Sequence, residues 1–310
     1  MTFTMTRLSR LITCVVVISF LCSYSFAWSK SGHMLTGAIA HQDLKQRDPA
    51  AAKVVAELLW NSTLPKIHKE ADSYYSHDMD PQFRFFLAAA RWADDVRDLK
   101  EEHQKYWHFI NIPYKPDGEP NWIRPSNPKR SNIKVTLTEQ IKILRDEDST
   151  DADKAKALVW VFHLVGDIHQ PLHTIAIFSK QYPRGDSGGN AIYIRPQIGK
   201  GAINLHSYWD RSLGTSDNVT DIKNQGILLR NMHTRSSLDE VEEDDLDAWI
   251  KESYDLAVEA AYLSGELTMA KKASQAVPVP DGYNDTMKTA SEKRAVLAGY
   301  RLSDLLSSIF

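Results

Sequence analysis

The run DADKAKALVWVFHLVGDIHQPLH, residues 151–173, constrains this chain more than any other feature of it. Apolar residues recur at helical spacing over 151–169, and Pro171 ends or kinks the helix beyond them. Within that helix His163 and Asp167 stand four apart, so both project from nearly the same face and can grip one ion. An imidazole and a carboxylate in apolar surroundings are costly to bury unless they are paired or metal-bound. His173 follows six residues after Asp167, and His206 and Asp210 repeat the four-residue spacing in LHSYWD. Further His and Asp stand in aromatic or apolar settings: His33 shortly after Trp28, Asp94 in RWADDVR and His108 in YWHFIN. Alone, His108 fits a hydrogen-bonded core residue, and a single His-x-x-x-Asp arises readily by chance. Two such pairs with these companions point toward a hydrolytic zinc site. Asp95 is the alternative to Asp94.

Thiolate does not enter that inventory. Residues 1–27 carry Arg7 and Arg10, an apolar run from Leu11 to Leu21, and Ser25-Phe26-Ala27 with small residues at −3 and −1. This pattern is that of a secretory signal peptide, cleaved between Ala27 and Trp28, and its apolar part is short for a membrane span. Cleavage removes both cysteines, Cys14 and Cys22, so a metal falls to His, Asp and Glu. It also removes two basic and no acidic residues, which takes the net charge from −3 to −5. Such a balance argues against a protein that holds nucleic acid by bulk phosphate neutralisation. An enzyme whose positive charge comes locally from metal ions stays open. A secreted or periplasmic location is expected.

Elsewhere the chain reads as mainly α, one domain over residues 28–310, with a small β-hairpin. Asp48-Pro49 opens a helix over 50–60, and helical spacing recurs over 81–98, 135–145, 244–273 and 287–309. Loops are expected over 113–132, 178–189 and 275–284, and the hairpin pairs 191–195 with 201–205. His41, His68, His77, His103 and His233 read as surface residues, and His169 as one that supports a neighbouring ligand or as a structural one. Asn61, Asn218 and Asn284 each begin an Asn-x-Ser/Thr sequon.

The strings WSKSGH, RWADDVR, WHFIN, FHLVGDIHQPLH, GGN and LHSYWD occur in this order, followed by AGYRL near the C-terminus. Together they resemble the zinc-dependent S1/P1 nuclease family, single-strand nucleases and 3′-nucleotidases, over essentially all of residues 28–310. The resemblance implies an α-helical fold whose cleft holds three zinc ions. One zinc would take Asp94, His108, His163 and Asp167. A second would share Asp167 and take His33 with the α-amino nitrogen and carbonyl oxygen of Trp28. The third would take His173, His206 and Asp210.

The resemblance also implies water attack on phosphorus, with products carrying 5′-phosphates, and catalytic roles for Asp94, Asp167 and Arg97. Arg97 would stabilise charge on phosphoryl oxygens, although without the resemblance it fits a surface arginine in a charge run with Asp95 and Asp98. Phe109 would offer a face to an unstacked base, or else be a core aromatic. Asn111 departs from the Asp that relatives often have there, and its amide can donate as well as accept. The absence of disulfides favours a bacterial-type member. The expected partners are single-stranded DNA and RNA and 3′-nucleotides, with no protein partner evident and a monomer expected. Two other readings stand beside this one: a zinc phospholipase C acting on phospholipid headgroups, and a secreted zinc-binding protein without turnover.

Overall fold

Short polar side chains start most of the helices by accepting the first free backbone N–H groups, as N-caps do. In the computed structural model, which describes residues 28–74 and 79–310, Ser29 opens α1 (Lys30–Arg47) and Asp48 opens α2 (Pro49–Asn61). A short α3 (Ile67–Ser73) follows, and Asp80 opens α4 (Pro81–Asp95). Strand β1 (Ile112–Tyr114) leads into α5 (Ile133–Arg145), capped by Asn132, and α6 (Asp151–Ile168), capped by Thr150. A single turn over Pro171–His173 joins α6 to β2 (Ile175–Ile177). The hairpin strands β3 (Tyr193–Ile194) and β4 (Ile203–Asn204) precede α7 (Leu205–Asp210) and α8 (Val219–Met232). The chain closes with α9 (Leu246–Leu256) and α10 (Tyr283–Ile309). The signal segment at 1–27 and His77 lie outside the described residues.

The mainly α fold and the small hairpin are as the sequence indicates. Helix α1 is the centre of the assembly, packed against α10, α4 and α8, while α6 lies across α4 and α5. The α1–α4 crossing is close: a Cβ on Gly37 would stand 2.7 Å from the Phe86 carbonyl oxygen, so only glycine fits. Phe86, Trp92, Trp160 and Phe162 fill the space between α4 and α6. Among the described residues no helix is long and apolar enough to cross a membrane.

Several boundaries differ from expectation for identifiable reasons. Helix α4 stops at Asp95 rather than Asp98, because Lys66 Nζ bonds the Asp95 carbonyl and the Asp98 carboxylate, a cation placed at the helix C-terminus. The helix expected over 244–273 passes into a π-turn at Ala257–Ala261 and ends where Leu263, Ser264 and Gly265 all take positive φ. Strand β1 lies inside the expected loop and pairs in parallel with β2, Ile112 opposite Ile175. His41 is not a surface residue: it is buried against Phe83 and Phe86, with Nε2 3.5 Å from the Asp80 carboxylate. The sequon residue Asn284 has its amide engaged, accepting from the Tyr208 hydroxyl and donating to the Pro196 carbonyl.

Candidate metal centre

Four helices and the chain pairing beside them bring the candidate ligands to one place. His33 comes from α1, Asp94 from the last turn of α4, His163 and Asp167 from α6, and His206 and Asp210 from α7. His108 and His173 are brought together by the pairing that becomes the β1–β2 ladder. There the Ile110 N–H donates to the His173 carbonyl, and the His173 Nδ1–H donates to the His108 carbonyl at 2.6 Å. All eight side chains are buried. They form three groups whose candidate ligand atoms lie within 4.8 Å of one another: His33, Asp94 and His163; His108, His163 and Asp167; His173, His206 and Asp210.

The first two groups share His163 and are knitted by Asp167. The Asp167 carboxylate stands 3.4 Å from His33 Nε2, 3.0 Å from His108 Nδ1, 3.2 Å from His163 Nε2 and 3.8 Å from His173 Nδ1. His33 thus sits with Asp94 and His163 as well as beside Asp167, its ring stacked on His163 with centroids 3.9 Å apart. Burial would raise the Asp167 pKa, but the facing imidazoles of His163 and His173 and hydrogen bonds from His108 and His163 hold it well below the ordinary carboxylate value. Burial, with the nearby charges of Asp167 and Asp94, pushes Asp210 well above that value, against the hydrogen bond from Gln170 Nε2, 2.6 Å from Oδ1, and the charge of Arg97.

Whether these residues fit a metal is answered by their lone pairs. A carbonyl can only accept, so the carbonyls of Ala90, His108 and Gly188 fix protons on the Nδ1 atoms of His163, His173 and His206. Burial lowers the pKa of His173, and pushes that of His206 to about 3, so both rings are neutral. Their unprotonated Nε2 atoms nevertheless face each other at 3.2 Å. Two lone pairs that close repel unless a cation stands between them. Asp94 Oδ2, Asp167 Oδ1, Asp210 Oδ2 and both nitrogens of His33 are likewise buried without a hydrogen bond. Buried polar atoms rarely go unpaired. This donor set of imidazole nitrogen and carboxylate oxygen suits zinc.

The remaining expected residues stand around these groups. Arg97 follows α4 on a tight turn, its N–H donating to the Asp94 carbonyl, and its guanidinium is 2.5 Å from Asp94 Oδ1 and 3.5 Å from His108 Nδ1. It is therefore part of the site's wall rather than of the Asp98 charge run. Asp95 turns the other way, to Arg91 and Lys30, which separates it from the cluster. Trp28 is fully buried, its Nε1–H donating to Gly166 beside Asp167, and the next residue's N–H donates to the Asp210 carbonyl. Phe109 is half-buried, with Tyr106 edge-on at 6.3 Å, and Asn111 is half-buried just before β1. His169 is structural, held between the Val165 carbonyl and Arg301. Gln170 was not singled out from sequence, although its place inside FHLVGDIHQPLH was the available signal.

Comparison with known proteins finds nucleases. Endonuclease 1 of Arabidopsis thaliana is 27% identical over a 320-residue alignment covering 98% of this chain and 94% of that protein. Endonuclease 4 of the same plant is 26% identical over 96% of this chain and 93% of its own length. Nuclease S1 of Aspergillus oryzae is 24% identical over 43% of this chain and 44% of its own. The profile of the S1/P1 Nuclease family matches residues 28–310, which takes in every candidate ligand, and the chain belongs to that family.

Proposed function

We propose that this nuclease hydrolyses single-stranded DNA and RNA to 5′-nucleotides and removes the phosphate of 3′-nucleotides, using three zinc ions. The observation that carries the metal reading is the pair of unprotonated imidazole nitrogens of His173 and His206 facing each other at 3.2 Å. Asp94, His108, His163 and Asp167 would hold one zinc. His33, Asp167 and Trp28 (through its α-amine and carbonyl) would hold a second, and His173, His206 and Asp210 a third. When bound, the ions supply Lewis acidity toward phosphoryl oxygens and a lowered pKa for water in the cleft.

The chain's own groups divide the remaining work. Arg97, only 15% exposed and steered by Asp94, presents a guanidinium at the rim where charge develops on phosphoryl oxygens. Among the described residues Asp94 Oδ2 has no hydrogen-bond partner, and it is an acceptor able to orient the attacking water. Phe109 offers a ring face next to ligand His108, which an unstacked base can use and a paired base cannot. The Asn111 amide would contact the edge of that base.

One preparation tests the proposal. Purified protein is incubated with single-stranded RNA and DNA, duplex DNA, 3′-AMP and a phosphatidylcholine analogue, with and without chelator, and its metal content is measured. We expect cleavage of single strands to 5′-phosphate ends, slower cleavage of duplex, loss of activity on chelation, and three zinc ions per chain. Absence of nucleotide cleavage, or cleavage indifferent to chelator, overturns the reading. Hydrolysis of the lipid analogue alone would give the phospholipase reading instead.

The place of Trp28 makes signal removal a chemical step in assembling the site, in a secreted or periplasmic protein whose residues 28–310 form the nuclease domain. A chain carrying Met or a tag ahead of Trp28 is expected to fold but to bind one zinc fewer and lose activity about 10- to 100-fold or more, the scale of a disturbed metal shell. Full metal content and activity from such a chain would refute the α-amine as a ligand.

A further inference from the structure

Residues 186–190 form a turn outside any helix or strand, and its backbone is unusual. Ser187, Gly188 and Gly189 all take positive φ, at 60°, 62° and 84°. Three consecutive left-handed residues, one of them carrying a Cβ, persist only where surrounding contacts over-determine them. At Gly188 a side chain is excluded outright, since a Cβ there would lie 2.4 Å from the Leu172 carbonyl oxygen.

What holds the turn is the carboxylate of Asp186, which is completely buried and whose hydrogen bonds go to residues other than the candidate ligands. Its Oδ1 accepts from the Ile177 N–H at 2.9 Å, and its Oδ2 accepts from the Gly189 N–H at 2.6 Å and the Tyr262 hydroxyl at 2.7 Å. Its own carbonyl accepts from the Ala191 N–H. Tyr262 is fully buried and is presented by a second irregularity, the π-turn Ala257–Ala261 with the left-handed Leu263 and Ser264 beyond it. Two strained segments, distant in sequence, therefore meet at one carboxylate. Between Asp186 and Gly189 lies Gly188, whose carbonyl oxygen is 2.5 Å from His206 Nδ1, and the Gly189 carbonyl receives the His206 backbone N–H.

We propose that Asp186, braced by Tyr262, is a positioning residue for the third metal group: it fixes the Gly188 carbonyl, which keeps the proton of His206 on Nδ1 and leaves Nε2 to the metal. The inference rests on the reading of His173, His206 and Asp210 as metal ligands. Remote partners that orient a ligating imidazole set its tautomer and its basicity, and their loss commonly weakens metal binding 10- to 100-fold. Asn cannot replace Asp186. Its acceptor oxygen serves one side of the carboxylate position, and its NH₂ then faces either the Ile177 or the Gly189 N–H, donor against donor.

The test uses Asp186→Asn and Tyr262→Phe in the full chain. In metal-free protein labelled with ¹⁵N-histidine, two-bond proton–nitrogen spectra report each imidazole tautomer, and a His206 variant identifies its signals. Wild type is expected to show His206 protonated on Nδ1 alone, and Asp186→Asn a mixture of tautomers. In metal titrations Asp186→Asn is expected to bind one zinc about 10- to 100-fold more weakly while the other two keep their affinity. Tyr262→Phe, which leaves the carboxylate in place, should weaken the same zinc by a smaller factor and keeps the test open if the Asn variant does not fold. An unchanged His206 tautomer, or loss of all three zincs in parallel, overturns the inference. A wild-type chain that binds no third zinc would instead overturn the metal reading of His173, His206 and Asp210, whereas the tautomer spectra still decide the role of Asp186.

Discussion

Asp167→Asn is expected to lower nuclease activity by about 10³-fold or more, the scale of losing a principal electrostatic contribution in a water-poor site. Two zinc ions should leave with it. No other carboxylate in the cluster faces four imidazoles, those of His33, His108, His163 and His173, all within 3.8 Å. Its Oδ1 makes no hydrogen bond, so that oxygen is kept for something other than a protein donor. The imidazoles around it hold the carboxyl well below its ordinary pKa, so it is ionised at neutral pH. Asn keeps the shape and loses that charge. It also points an NH₂ at nitrogens that would otherwise be offered to a cation. Metal analysis of the purified variant, beside kinetics on single-stranded oligonucleotides, decides the matter. Retention of two or more zincs, or activity within tenfold of wild type, would refute a bridging role.

How much of this was legible beforehand depended on whether each feature was local. The His163–Asp167 pair was readable because four residues on a helix is a spatial statement made in sequence. The same holds for His206 and Asp210. Helix α1 was not readable, although it is central to the fold. It is buried on nearly every side, so it has no polar face to produce a periodic signal, and Gly32 and Gly37 weaken its propensity. The β1–β2 pair was invisible for another reason: its strands are three residues each and lie some sixty positions apart.

Direction, too, needed the structure. Asp94 and Asp95 are neighbours with equal claims on paper. Only the salt bridges of Asp95 to Arg91 and Lys30 show which one is spent on the scaffold. Arg97 stands beside Asp94, three residues after it, on the turn that follows α4, and its salt bridge to Asp94 rather than to Asp98 shows which way it faces. His41 was misjudged because a lone histidine gives no sign of the phenylalanines that will cover it. Gln170 and Asp186 act through hydrogen bonds on ligands that are distant in sequence, which residue spacing does not encode.

The second large effect lies behind the site. Glu252→Gln is expected to destabilise the protein by about 3 kcal/mol, the scale of removing one partner from a buried ion pair. Two guanidiniums, of Arg294 and Arg301, are buried between α6, α9 and α10, and both end on this one carboxylate at 2.6–2.7 Å. Burial, with the repulsion of Arg301 added to it, pushes Arg294 down to about 10 even against the attraction of Glu252, so its charge depends on that carboxylate. Their other hydrogen bonds go to the His169 carbonyl, His169 Nε2, Ser253 and the carbonyls of Trp249 and Glu240, and Arg301 also lies over the Trp249 ring. His169 stands between Asp167 and His173, so the network also braces the turn that carries two candidate ligands.

The pH dependence has a definite sign. Burial raises the Glu252 pKa, but Arg301 and Arg294 outweigh it and hold the group below its ordinary value of 4.5. A carboxyl whose folded pKa is depressed binds fewer protons when folded than when unfolded. Its stabilisation is therefore complete above the unfolded value and is lost as pH falls through the folded one. Thermal melts of metal-free protein should show Tm lower by roughly 4–6 °C for Glu252→Gln at pH 7, given the chain's size. The gap between variant and wild type should narrow as pH falls below about 4.5, where wild type also loses the charge. A Tm unchanged at pH 7, or a gap that widens on acidification, would mean that the two arginines do not depend on Glu252.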